Sequence, residues 1–342
     1  MRTDKLEKIW EEIEGQRENS SQTIQRQRMI CIDMPCRIYV GVNGIPSCRF
    51  MAFDIPKEDI SRFNPFTSLR GITVAIAEPI LQHENFYACV LQAASCDQND
   101  VFTIVASDIL QKMHDCSSAD NYVEVLKQRI EKWRIFFEKA VGQQLSDRMV
   151  IGLWGELNLI HELQNEKIMT AEDLWNGPLK SAQDFQGNEI AIELKTSVTN
   201  QLENVMISSE IQLDDSHFNA LFLIAFRIER NDENGITLPQ LVDMVSCKLA
   251  DEQKKRFYAA LLCLGYDPSH SQLYTKGYIL KEQRNYYVKS GFPRIIRSDV
   301  PHGVCNIKYE VSLSTCSEFQ VDWDRVIAAI KEYEYGQAGG TQ

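Results

Sequence analysis

Leu6, Ile9, Trp10 and Ile13 recur at helical spacing, so the chain starts with a polar helix carrying one apolar stripe. The Gly15-Gln-Arg-Glu-Asn-Ser-Ser21 stretch behind it reads as a linker. From Met29 to about Val105 the pattern changes to short β-rich runs. Residues 37–40 and 49–53 flank Asn43-Gly44, a strong hairpin dipeptide, and residues 73–76, 86–91 and 101–106 add candidate strands. Cys116-Ser117-Ser118 then breaks the chain before a long amphipathic helix striped by Val123, Leu126, Ile130, Trp133, Phe137 and Val141.

Ser146-Asp147 caps a second helix that runs through Leu163. Residues 182–196 read as a hairpin, 205–208 as a short strand or turn, and 209–216 as a short helix. The near-continuous apolar run from Phe218 to Ile228 suits a strand buried on both faces. A turn cluster at Asn231-Asp-Glu-Asn-Gly235 precedes a helix start at Thr237-Leu-Pro239, and a last helix spans about Trp323 to Tyr335. This order predicts an α/β fold, a mixed sheet flanked by helices. We divide it into an N-terminal β-rich domain (1–118), a core with leading helices (119–235) and a C-terminal α+β region with a basic segment (236–342).

Composition narrows the class. With 342 residues, 44% of them hydrophobic and 25% charged, the chain is of ordinary globular type. It has no apolar run of membrane-spanning length and no signal-peptide core, so we expect a cytoplasmic protein with no membrane partner. Its ten cysteines are scattered without a Cys-x-x-Cys, and its six histidines form no ligand pair, which predicts reduced thiols and no zinc.

A net charge of −12 argues against a general nucleic-acid coat, but the distribution is uneven. Residues 151–235 hold 15 acids against five bases, whereas residues 276–297 hold six bases (Lys276, Lys281, Arg284, Lys289, Arg294, Arg297) and one acid. An acidic centre beside a basic flank fits a metal-dependent enzyme acting on a polyanion, the basic segment holding phosphates with Tyr278, Tyr286 or Tyr287 nearby. Two unrelated solvated faces would give the same count.

The hairpin carries the candidate chemistry. With Gly187-Asn188 as a two-residue turn, Asp184 opposes Ala191, and Asp184, Glu193 and Lys195 share one face. Asp184 and Glu193 are then diagonal neighbours, roughly 6–8 Å apart at Cβ, and suit one hard cation such as Mg²⁺ (or Mn²⁺). Lys195 can orient the attacking water and offset phosphate charge. Glu156 falls within the apolar stripe of the second helix and needs a cation or a basic partner there. A second Glu-x-Lys, Glu252-Gln-Lys254, lies in a charged helical run and reads as a solvated face. No Walker A loop, nucleophile elbow or dinucleotide fingerprint is present.

Gly152-Leu-Trp-Gly-Glu-Leu157, Trp175-Asn-Gly-Pro178, Gln183-Asp-Phe185, Ile192-Glu-Leu-Lys-Thr196 and Ile207-Ser-Ser-Glu-Ile-Gln-Leu213 together resemble the PD-(D/E)XK nuclease superfamily. They are most similar to bacterial motif proteins of that superfamily encoded beside restriction-modification and phage-defence genes. The resemblance implies a restriction-endonuclease-like fold, with Glu156, Asp184, Glu193, Lys195 and Gln212 in the catalytic set and Asp184, Glu193 and Glu156 as metal ligands. It departs from the family pattern at Gln183, which replaces a Pro that supplies no ligand. It further implies a DNA endonuclease subunit working with an ATPase, methyltransferase or DNA-recognition partner, or as a homodimer. The alternatives are a catalytically idle nuclease fold and a nuclease for RNA or structured DNA.

Overall fold

The computed structural model describes residues 3–15, 26–30, 36–44, 46–63, 69, 71–78, 85–114, 122–140, 144–168, 170–177 and 182–339. The expected linker after Gly15, the break at Cys116-Ser117-Ser118, and Val141 lie outside these residues, as do Cys31 and Cys116. The chain forms two compact units, residues 1–143 with 258–265, and residues 144–257 with 266–342.

In the first unit, α1 (Thr3–Gly15) is followed by an antiparallel sheet of β1 (Arg26–Ile30), β2 (Ile38–Asn43), β3 (Cys48–Pro56), β4 (Ile72–Ala77) and β5 (Phe86–Ala93), in the order β1-β2-β3-β5-β4. The Asn43-Gly44 hairpin joins β2 to β3, with Gly44 at a φ of 82° that suits glycine. Then come α2 (Asn99–His114) and α3 (Tyr122–Ala140). Residues 101–106, expected as a strand, are the middle of α2. Every residue from Val101 to Leu110 is buried there, the polar Thr103, Ser107 and Asp108 included, so no solvent-facing stripe marks a helical period and the pattern cannot separate helix from strand.

Two buried ion pairs hold this unit's layers. Arg49 on β3 donates to Glu14 Oε1 at 2.9 Å and Thr103 Oγ1 at 2.8 Å, pairs with Glu7 Oε1 at 2.6 Å, and lies over the Trp10 ring. Asp108 on α2, 2% exposed, accepts from Arg129 and from Trp133 Nε1 on α3. Burial pushes the thiols of Cys36, Cys89 and Cys263 up, which leaves them unreactive, and the described cysteines are free.

The second unit contains α4 (Asp147–Asn165), α5 (Ala171–Leu174), β6 (Phe185–Gln186), β7 (Ile190–Ser197), β8 (Asn204–Ile207), β9 (Ala220–Arg230), β10 (Ile236–Thr237), α6 (Leu238–Ser246), α7 (Asp251–Cys263, whose last residues belong to the first unit), β11 (Gly277–Val288), β12 (Tyr309–Ser312), β13 (Gln320–Val321) and α8 (Trp323–Gly339). Its mixed sheet has the order β10-β11-β9-β7-β6, with β13 also on β11, while β8 pairs β12 separately. β7 and β9 are parallel and the other pairs antiparallel. The sheet therefore joins strands from both sides of residue 236. This is the mixed α/β architecture that the pattern predicts.

Ser146 accepts from Met149 N and caps α4, and Thr237 forms a full capping box with Gln240 at the start of α6. α4 packs close to β7 because Gly155 has no side chain; a Cβ there would stand 1.9 Å from Thr196 Oγ1 and 2.9 Å from Thr196 Cβ. On the opposite sheet face, Leu221, Leu223 and Ala225 pack with Leu202, Val205, Ile207 and Leu213. Residues 209–216, expected as a short helix, are turns. The buried Gln183 amide takes the carbonyls of Ile211 (2.7 Å) and Gln212 (3.2 Å), so helical bonding is replaced by a side-chain clamp. Among the described residues no helix is long and apolar enough to cross a membrane.

Replacing Arg49 by Ala leaves Glu7 and Glu14 without their shared cation. We expect a loss of about 3–5 kcal/mol, the usual cost of breaking a buried pair from one side, read by urea unfolding.

Candidate active site

The hairpin register differs from the one expected of a Gly187-Asn188 turn. Phe185 pairs with Ile192 and Gln186 with Ala191, and Gly187 N donates to Ile190 O at 2.7 Å, so the turn closes around Asn188-Glu189, one residue later than expected. The slip is two residues along the partner strand, an even number, and side chains keep their faces. Continued by one residue, this register brings Asp184 level with Glu193 instead of diagonal to it.

Asp184 directly precedes β6, and residues 193–197 of β7 have no strand partner on that side among the described residues. Asp184 fills the gap by accepting from Leu194 N at 2.8 Å. Glu193 is 1% exposed, and its Oε1 receives Lys195 Nζ at 2.6 Å and Gln212 Nε2 at 2.7 Å. Gln212 Oε1 accepts from Ser208 N at 2.6 Å and from Lys195 Nζ at 3.4 Å. Glu193 Oε2 is buried with no hydrogen-bond partner among the described residues. Glu156 approaches from α4, where Trp175 Nε1 donates to its Oε2 at 2.7 Å.

All three carboxylates are raised, burial being the largest cause in each. Burial and then the Asp184 charge push Glu156 up to about 8, with the Trp175 bond and the Lys195 charge pulling the other way. Glu193 is raised well above its usual range by burial and by Asp184 and Glu156, against the pull of Lys195. Asp184 is raised by burial, against the Leu194 bond and Lys195. Uncompensated charge and an orphaned buried oxygen are what a divalent cation would relieve, so the donor set fits a hard ion. Among the described residues, however, no three His, Cys, Asp or Glu side chains stand ready as a metal cage. Lys195 takes the Glu193 oxygen that a cation would compete for.

Two residues given no role by their sequence pattern complete the site. Trp175, which opens the Trp175-Asn-Gly-Pro178 motif, holds Glu156 with its indole nitrogen; Gly177 crosses its ring so closely that a Cβ would come within 2.7 Å. Gln183, read as an inert replacement for Pro, clamps the turn that presents Gln212. Their neighbours in space lie about 19 to 29 residues away in sequence, beyond the reach of local pattern.

The basic segment is largely committed internally. Lys276 pairs with Asp147 at 2.7 Å, Lys281 with Glu229 at 3.6 Å, Arg284 with Glu282 at 2.6 Å, Arg294 with Asp215 at 2.8 Å and Arg297 with Glu210 at 3.3 Å. Lys289 is exposed, with no carboxylate among the described residues in ion-pair reach. Tyr278 and Tyr286 are buried in the core and offer no stacking face, and Tyr287 donates to Asn219 O at 3.1 Å. Glu252 and Lys254 sit on α7 in exposed pairs with Lys255 and Asp251.

A mixed sheet presenting an acid, an acid and a lysine beside a helix-borne glutamate defines the PD-(D/E)XK class. Residues 6–314 match the family described as "Putative PD-(D/E)XK family member, (DUF4420)", and the chain belongs to that family. Membership supports a nuclease-like function. No curated protein and no solved structure matches the chain.

Glu156 binds its proton more tightly folded than unfolded, since its folded value of about 8 exceeds the ordinary 4.5. Its contribution to stability is therefore greatest below the unfolded value and is lost as pH rises toward 8. Glu156→Gln should melt within a degree or two of wild type near pH 4.5 and be more stable at pH 8.5 in EDTA, by on the order of 1–3 kcal/mol. Gln183→Ala should cost about 1–3 kcal/mol by leaving the carbonyls of residues 211 and 212 unmet, whereas Gln183→Glu, which cannot donate, should not restore it. Both effects can be read by thermal unfolding.

Proposed function

We propose that the chain is a divalent-metal-dependent endonuclease acting on DNA. The observation that carries this is Glu193, buried with one oxygen on Lys195 and the other without a partner, beside two further carboxylates. Asp184, Glu193 and Glu156 would hold Mg²⁺ or Mn²⁺, which when bound polarises a phosphoryl oxygen and acidifies water. Lys195 releases Glu193 Oε1 and donates to the attacking water and the charged phosphate. Gln212, anchored by Ser208 N, keeps Glu193 and Lys195 at fixed separation during the exchange. Trp175 keeps the Glu156 carboxylate turned toward the cluster.

A restriction or phage-defence setting accounts for the other features. Net charge of −12 and a basic segment already paired to carboxylates make a weak autonomous DNA binder. We therefore place the chain beside a companion DNA-recognition, ATPase or methyltransferase subunit in the cytoplasm. A single site cuts one strand per encounter, so a double-strand break needs two protomers or two nicks.

Titration of Mg²⁺ and Mn²⁺ with plasmid, single-stranded DNA and RNA tests the reading. Asp184→Ala, Glu193→Ala and Lys195→Ala should each lower metal-dependent plasmid cleavage by at least about 100-fold, while Glu252→Ala leaves it unchanged. Wild-type cleavage by Glu193→Ala would remove the site assignment; cleavage of RNA alone would replace the substrate.

A further inference from the structure

Arg227 has no assigned role, yet it stands on the same sheet face as Glu193 and Lys195. In the parallel pair β7–β9, Lys195 is level with Ala225 and Ser197 with Arg227. In the antiparallel pair β9–β11, Arg284 faces Ala225 and Glu282 faces Arg227 across a bulge after Leu280. Laterally paired residues project from one face, so Lys195, Arg227, Glu282 and Arg284 lie on a common surface. Strand spacing and residue rise place the Arg227 Cα about 8 Å from that of Lys195, on the order of the step between neighbouring phosphates of one strand.

There the face opens into a crevice of about 380 Å³ lined by Asn200, Gln201, Arg227, Glu282, Arg284 and Ser314, among others. Glu282 is shared, accepting from Arg227 Nε at 3.1 Å and from Arg284 Nε at 2.7 Å, and Arg284 Nη1 also donates to Leu202 O at 3.0 Å. Glu203, exposed, also lines the crevice, so its two guanidinium groups stand with two carboxylates. Hydrogen bonds among the described residues use only the Nε of Arg227, so both of its Nη groups remain for a bidentate oxyanion. Asn200, Gln201 and Ser314 add neutral donors.

We infer that this crevice is a phosphate subsite: Arg227 and Arg284 bind the phosphodiester next to the one at Lys195, in competition with Glu282. The inference rests on the nuclease reading for the identity of the strand, and names where the strand leaves the acidic cluster.

The test uses the full chain in EDTA, where binding is read without cleavage, with fluorescently labelled 20-nucleotide single-stranded and duplex DNA followed by anisotropy across a salt series. Arg227→Gln should weaken binding about five- to tenfold and reduce the salt slope by about one. Glu282→Gln, which removes the competing carboxylate, should tighten binding several-fold, and Arg227→Lys should fall between wild type and Arg227→Gln. A purely structural ion pair would instead move both Arg227→Gln and Glu282→Gln in the same direction, and that result, or no change in either, overturns the subsite. Displacement of DNA by micromolar AMP or inorganic phosphate would assign the crevice to a free phosphate compound and overturn the strand proposal. Normal DNA binding by wild type with no metal-dependent cleavage would count against the nuclease reading alone.

Discussion

Placing a carboxylate inside a protein costs several kcal/mol unless something compensates its charge, and the second unit is organised around meeting that cost for Glu193. One oxygen is met by Lys195, two residues along the same strand, and by Gln212 from the turn segment. Asp184 instead spends its bonding on the unpaired edge of β7 at Leu194. Glu156, brought near by the approach that Gly155 permits, has one indole hydrogen bond and holds its proton up to about pH 8. The cluster is held in an unfavourable state of charge by a well-packed frame, which is the condition in which a hard cation binds with most effect.

Much of this was legible along the chain. The Glu193-Leu-Lys195 alternation needs only a strand to put both side chains on one face, and displacing the turn by one residue shifted the register by an even step that preserved it. Glu156 stood out because α4 is otherwise apolar at that position. The rest depended on closure in three dimensions. The pattern could not reveal that residues 101–106 are helical, since burial on all sides erases periodicity. The turn at 209–216 depends on a glutamine about 28 residues upstream.

The basic segment shows the same limit from the other side. Counted along the chain it is a strong positive patch, but folding sets most of its cations against acids on other elements, as with Lys276 and Asp147 at the start of α4, 129 residues apart. Formal charge in sequence is thus a poor guide to surface potential wherever β11 lies between acidic neighbours. What survives is local: Lys289, exposed, and Arg227, which the acidic stretch had hidden in the count.

The parallel pairing of β7 with β9 has a kinetic consequence. Ile190 pairs with Ala220 across an intervening chain that carries Gln212 and packs on one face of the sheet. Closing such a loop is entropically uphill until the non-local contacts form, so this pairing is a slow, late event by nature. Without it, nothing holds Gln212 against Glu193, and the cluster is not assembled. A chain in which this pairing has opened therefore lacks the assembled cluster, and the site exists only in the completed fold.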